Sequence, residues 1–194
     1  MVTKLFITSI IISMPCILLC YVIASSADAA YKEGNRMSCL ETEQTSKLAV
    51  NLLKFEEGYR STPYIGTEGY LHIGYGQKLS NEKGLNPDEW NVTTTPAHAE
   101  YILVNKVDAI LYVLKTGVHK SAFNKLDEEG QAVLVSMAYQ MGIQGLYKFY
   151  DMWTAIYLGD DEGAAYEMLS SKWATQTPAR ARRHAETMRT GIIP

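Results

Sequence analysis

The chain has 194 residues, 47% of them apolar and 20% charged, and a formal net charge of −3. That length suffices for one domain with a real hydrophobic core. The slightly acidic balance excludes a general attraction to nucleic acid or to anionic surfaces.

The beginning of the chain reads as a leader rather than as fold. After Lys4, residues 5–27 carry no charge and are rich in Ile and Leu, and they run into the small residues Ala24-Ser25-Ser26-Ala27-Asp28-Ala29-Ala30. A basic start, an apolar middle and an Ala-x-Ala site predict an export signal over residues 1–29, cleaved after Ala29. The same run is long enough to span a bilayer of about 30 Å, so a retained signal-anchor is the alternative. Membrane contact is expected through this segment alone. Cys16 and Cys20 lie inside it, and Leu18-Leu19 lacks the small residue expected before a lipidated cysteine. Cleavage would leave Cys39 without an internal disulfide partner.

Residues 30–45 are polar and aperiodic and are expected to form a flexible leader, with the domain occupying residues 46–194. Ser46 can cap a helix whose Leu48, Leu52 and Phe55 recur at helical spacing, and Gly58 supplies a left-handed stop. Glu57 then sits in the last turn, where the negative end of the helix dipole disfavours a carboxylate. A nearby cation or a retained proton is needed there.

Gly66-Thr67-Glu68-Gly69 predicts a turn between Tyr64-Ile65 and the strand-like residues 70–75. On that strand Tyr70, His72 and Gly74 share the face available to a cleft, and Leu71, Ile73 and Tyr75 share the packing face. Gly74 and Gly76 leave the ribbon bare, which suits close approach of a bulky ligand. Further on, Thr95-Pro96 opens a helix with an apolar stripe at Tyr101-Ile102, Val107, Ile110-Leu111 and Val113-Leu114. Asp127 caps a helix that stops at Gly142, and shorter helices follow near residues 152–158, 162–169 and 178–188. The expected class is α+β, a small antiparallel lobe beside a larger helical lobe with a groove between them.

Glu57-Gly58, Tyr64, Gly69, Gly74 and Gly76 fall in register with the active-site segment of the phage-type lysozymes, glycoside hydrolase family 24. Residues 137–142, residues 171–183 and Met188-Arg189-Thr190-Gly191 resemble further segments of the T4 branch of that family. The resemblance covers most of residues 46–191. It implies a lysozyme-like fold and hydrolysis of bacterial peptidoglycan between N-acetylmuramic acid and N-acetylglucosamine, by an exported monomer that needs no cofactor.

By the same resemblance Glu57 is the general acid, which must hold its proton near neutral pH. Arg180 reaches it across the cleft, and Gln140 binds saccharide. Trp173 belongs to the core. Three polar positions depart from the family pattern. Gly66 stands where an aspartate is expected, His72 where a threonine is, and Gln77 where a histidine is. Gly66 can neither activate water nor attack carbon, whereas the His72 imidazole can do either. His72 as the second catalytic group and His72 as a mere cleft wall both stay open. So does a lysozyme-fold protein that has lost turnover and binds glycan or a partner. His98 and His119 are isolated, so no metal site is expected.

Overall fold

The computed structural model describes residues 14–193. The start of the expected export signal, residues 1–13, lies outside them. Two compact units divide the chain, residues 1–40 and residues 41–194. Helix α1 (Met14–Glu57) carries the chain from the first into the second. Among the described residues no helix is long and apolar enough to cross a membrane.

The expected leader is thus not irregular where it is described, and Ser46 is not a cap. Ser46 Oγ donates instead to Asp108 Oδ1 (2.7 Å), while Thr45 is fully buried with its hydroxyl 3.0 Å from the Glu41 carbonyl. Residues 31–44 have no apolar stripe, yet they contain good helix formers and no proline, so nothing stops α1 from running through. The buried face from Thr45 onward is Ala49, Val50, Leu52 and Leu53. Phe55 was expected on that face but is exposed, lying near the Arg183 guanidinium (5.2 Å).

Three antiparallel strands follow, β1 (Arg60–Ile65), β2 (Tyr70–Gly74) and β3 (Gln77–Lys83), in that spatial order. Leu71, Ile73 and Tyr75 are buried as the alternation predicts. The third strand was not anticipated, because its polar sequence lacks a clear period. Across the ribbon Tyr64 pairs with His72 and His72 with Lys78, which sets these three side chains in one row.

The helical lobe holds α2 (Pro96–Thr116), α3 (Lys120–Phe123), α4 (Glu128–Met141), α5 (Ile143–Leu146), α6 (Tyr150–Leu158), α7 (Asp161–Ser170), α8 (Lys172–Gln176) and α9 (Pro178–Thr190). Thr95 Oγ1 caps α2 by accepting from the His98 amide, and Asp127 caps α4 by accepting from the Gly130 amide. On α2 the buried stripe is Leu103, Val107, Ile110, Leu111 and Leu114; Tyr101 and Val113 face out. Helix α4 is buried over nine successive residues, Gly130 to Ala138, so it is the central rod on which the others pack. It ends at Gly142 (φ 78°), just after Tyr139 and Gln140.

Candidate functional site

A cleft of about 600 Å³ lies between the sheet and the helical lobe. Its walls include Glu57 from the end of α1, Gly66 and Glu68 from the β1–β2 turn, His72 from β2, and Tyr139 and Gln140 from the end of α4. Volume and mixed lining suit an extended polar ligand.

Glu57 is placed by the stop of α1. Gly58 takes φ 65°, which a side chain would resist, and turns the chain into β1 immediately after the carboxylate. Arg180 of α9 supplies the cation that the helix end requires, its Nη2 donating to Glu57 Oε1 at 2.9 Å. The same guanidinium donates from Nε to Glu56 Oε2 at 3.0 Å. Arg183, three residues on and therefore on the same face of α9, clasps Glu56 through Nε (3.1 Å) and Nη2 (2.7 Å). The Glu56 side chain is 3% exposed and that of Glu57 22%. Glu56 thus buries its charge among arginines while Glu57 keeps an open side towards the cleft. Burial alone would raise the Glu56 pKa, but the Arg183 hydrogen bonds and the Arg180 charge outweigh it and hold the carboxyl below its ordinary value.

Behind this network His184 is 1% exposed, with Nε2 2.9 Å from Ser136 Oγ on α4. Burial, reinforced by the two arginine charges and opposed by Glu56, depresses its pKa to about 3. His184 is therefore a neutral hydrogen-bonding core residue at physiological pH. The network of Glu56, Arg183 and His184 behind the candidate acid was not anticipated from the sequence. The available signals were the Glu56-Glu57 doublet and the i, i+3 spacing of the two arginines.

His72 and Gly66 are complementary in space. A Cβ on Gly66 would come within 2.7 Å of both Cε1 and Nδ1 of His72, so the imidazole occupies the room that any side chain at 66 would need. His72 Nδ1 lies 3.0 Å from the Tyr70 carbonyl oxygen. A carbonyl only accepts, so Nδ1 carries the hydrogen, which in the neutral ring leaves the lone pair on Nε2. The ring also lies 5.8 Å from the Tyr64 ring.

Gln140 lines the cleft, and its Oε1 accepts from Trp173 Nε1 at 2.8 Å. Trp173 is buried, in keeping with a core role. Gly74 does not meet the expectation of a ligand-facing glycine. It is buried at φ 64°, and a Cβ there would strike Gln77 Oε1 (2.1 Å) and Ala99 Cβ (2.9 Å). Its bareness serves packing. Gly76 is the glycine beside the candidate acid, a Cβ there falling 3.4 Å from Glu57 Oε2. Gln77 holds the turn, accepting from the Tyr75 amide (2.7 Å) and donating to the Ala99 carbonyl (3.0 Å).

Comparison with known proteins agrees with this geometry. A family model described as Phage lysozyme matches residues 54–186. Probable T4-type lysozyme 2 of Dictyostelium discoideum is 26% identical over 160 residues, covering 74% of this chain and 94% of its own length. Probable T4-type lysozyme 1 of the same organism is 25% identical over 160 residues with the same coverage. The pre-baseplate central spike protein Gp5 of Enterobacteria phage T4 is 30% identical over 190 residues, which span 87% of this chain and 32% of that protein.

Proposed function

Because this chain belongs to the phage lysozyme family, we propose that it is a peptidoglycan hydrolase that cuts the β-1,4 bond between N-acetylmuramic acid and N-acetylglucosamine. The observation that carries this reading is the cleft that holds Glu57 against Arg180 and also contains His72 with its Nδ1 anchored on the Tyr70 carbonyl. Glu57 gives its proton to the glycosidic oxygen as the bond from that oxygen to the sugar C1 breaks. The lone pair of His72 Nε2 forms a new bond to C1, and the positive charge on the imidazolium is shared with Nδ1–H against the Tyr70 carbonyl. Water then attacks C1, passes a proton to the Glu57 carboxylate, and the C1–N bond breaks to restore both side chains. Two displacements keep the β configuration.

Proton NMR of the first-formed product tests the route, with the β anomer expected and the α anomer pointing to water activation in a single displacement. Glu57→Gln keeps the shape of the side chain but has no proton to donate, so release of reducing ends from purified cell walls should stop. Activity surviving within a few fold would identify a different acid. A second reading, a glycan-binding protein without turnover, is supported by the missing carboxylate at Gly66; wall binding without reducing ends from the unaltered protein would establish it. The apolar start of the sequence supports export to the wall, by cleavage after Ala29 or as a membrane-tethered form. An N-terminus at or near Ala30 on the secreted protein distinguishes cleavage from tethering.

A further inference from the structure

Three cations line the cleft beside Glu57: Arg60 on β1, Lys78 on β3 and Lys106 on α2. Each lies over a tyrosine ring of the same region. The Arg60 guanidinium is 4.5 Å from the Tyr64 centroid, Lys78 Nζ 3.4 Å from that of Tyr70, and Lys106 Nζ 4.2 Å from that of Tyr139. Arg180, Arg183, Lys54 and Arg189, by contrast, pair with carboxylates. Among the described residues none of the three cleft cations has a carboxylate oxygen within 4.0 Å.

The cleft wall contains two carboxylates against these three cations, and one of the two, Glu57, is already held by Arg180. The local excess is positive although the whole chain is at −3. Burial pulls the Lys106 pKa down; the Glu57 charge opposes that, and the Lys78 charge adds to it. Two ammonium groups that repel across a partly enclosed cleft are an unfavourable arrangement that a bound anion would relieve. The phenols of Tyr139 beneath Lys106 and of Tyr64 beneath Arg60 stay neutral, since burial followed by the Glu57 charge raises the pKa of both. The rings therefore fix the cations in place without neutralising them.

We propose that Lys78 and Lys106, with Arg60, form an anion subsite that reads a carboxylate carried on the glycan strand. The proposal rests on the peptidoglycan reading and names the feature of that substrate the cleft selects. Acetamido sugars are neutral, so the carboxylate comes either from the lactyl ether of muramic acid, free where the peptide is absent, or from the peptide attached to it.

The Glu57→Gln variant permits binding to be measured without turnover. Isothermal titration at low and high sodium chloride would compare a neutral chitin-type oligosaccharide, peptide-free glycan strands and peptide-bearing strands. At low salt an anionic strand should bind about tenfold more tightly than the neutral chain, as two partly exposed ion pairs would give. High salt should erase the preference. Preference for the peptide-free strand identifies the lactyl carboxylate, and preference for the peptide-bearing strand alone identifies the peptide. Adding Lys78→Gln and Lys106→Gln should abolish the preference, and Lys78→Arg with Lys106→Arg should keep it. Both lysines line the open cleft and neither belongs to the buried core, so the fold should survive either change. Equal affinity for neutral and anionic chains, or a preference that outlasts the double glutamine variant, would overturn the anion subsite while leaving the hydrolase reading intact. Failure of every glycan to bind, with no reducing ends from the unaltered protein, would overturn both.

Discussion

Returning an aspartate to position 66 should harm this protein unless His72 is changed with it. A Cβ on Gly66 would meet His72 Cε1 and Nδ1 at 2.7 Å, closer than non-bonded carbon and nitrogen sit. The φ of Gly66 is not positive, so its backbone accepts a side chain and the imidazole is the obstacle. His72 has room to yield towards the cleft, but only by giving up its 3.0 Å contact with the Tyr70 carbonyl. A lost hydrogen bond of about 1 kcal/mol and overpacking of about 1–3 kcal/mol bracket the expected destabilisation at roughly 1–3 kcal/mol. For a domain of this size that lowers Tm by about 2–12 °C.

Gly66→Asp should also lose activity through displacement of the ring, and His72→Ala should lose roughly a hundredfold, as removal of a positioned catalytic group does. Gly66→Asp combined with His72→Thr removes the overlap and puts a carboxylate at the cleft. The pair should therefore be more stable and more active than the Gly66→Asp variant. The assay is a double-mutant cycle in which urea unfolding and cell-wall clearing are measured on all four proteins. Additive effects in both measurements, or a Gly66→Asp protein as stable as the parent, would refute the spatial exchange.

Arg180→Ala should lower activity less than Glu57→Gln, by misplacing the acid, and cost about 3 kcal/mol because Glu56 keeps only Arg183; unchanged clearing rates and unfolding midpoints would make Arg180 a bystander. Gly74→Ala should destabilise by at least about 2 kcal/mol, since it forces a side chain into φ 64° and against the Gln77 amide that holds the β2–β3 turn; an unaltered urea midpoint would contradict the packing role. Stability should fall in acid. The His184 pKa is about 3 when folded and near 6.5 when unfolded, so between those values the unfolded chain binds a proton that the native state refuses. The contribution is complete above pH 6.5, shrinks as pH drops towards 3, and reaches at most about 5 kcal/mol. Glu56, held below its ordinary value, adds a loss of the same sign below about pH 4.5. Urea midpoints from pH 8 to 4 check this, and His184→Gln should flatten the upper part of the curve; the same slope in that variant would remove His184 from the account.

Local signals were enough for most helices, because caps act within one turn. Thr95-Pro96 and Asp127 mark the starts of α2 and α4, and Gly58 and Gly142 mark the ends of α1 and α4, by short-range hydrogen bonding and glycine's access to positive φ. The glycine-spaced turn and the alternation of residues 70–75 likewise sufficed for a ribbon with one apolar face, and the helix stop at Gly58 put Glu57 at its edge. The extent of α1 before Ser46 and the polar third strand escaped, since neither carries a hydrophobic period and both depend on what the chain packs against.

The working arrangement of the cleft is tertiary. Glu56 and Glu57 meet Arg180 and Arg183 across 123 to 127 residues of sequence, a pairing that no local pattern encodes. Sequence alone marks Gly66 and His72 as two separate departures from the family pattern; only the register of β1 against β2 makes the ring of one fill the space left by the other. Of two glycines that look alike in the sequence, folding turns Gly74 into the core and leaves Gly76 beside Glu57. The residue types set which chemistry is possible, and the strand register and the docking of α9 decide which side chains share it.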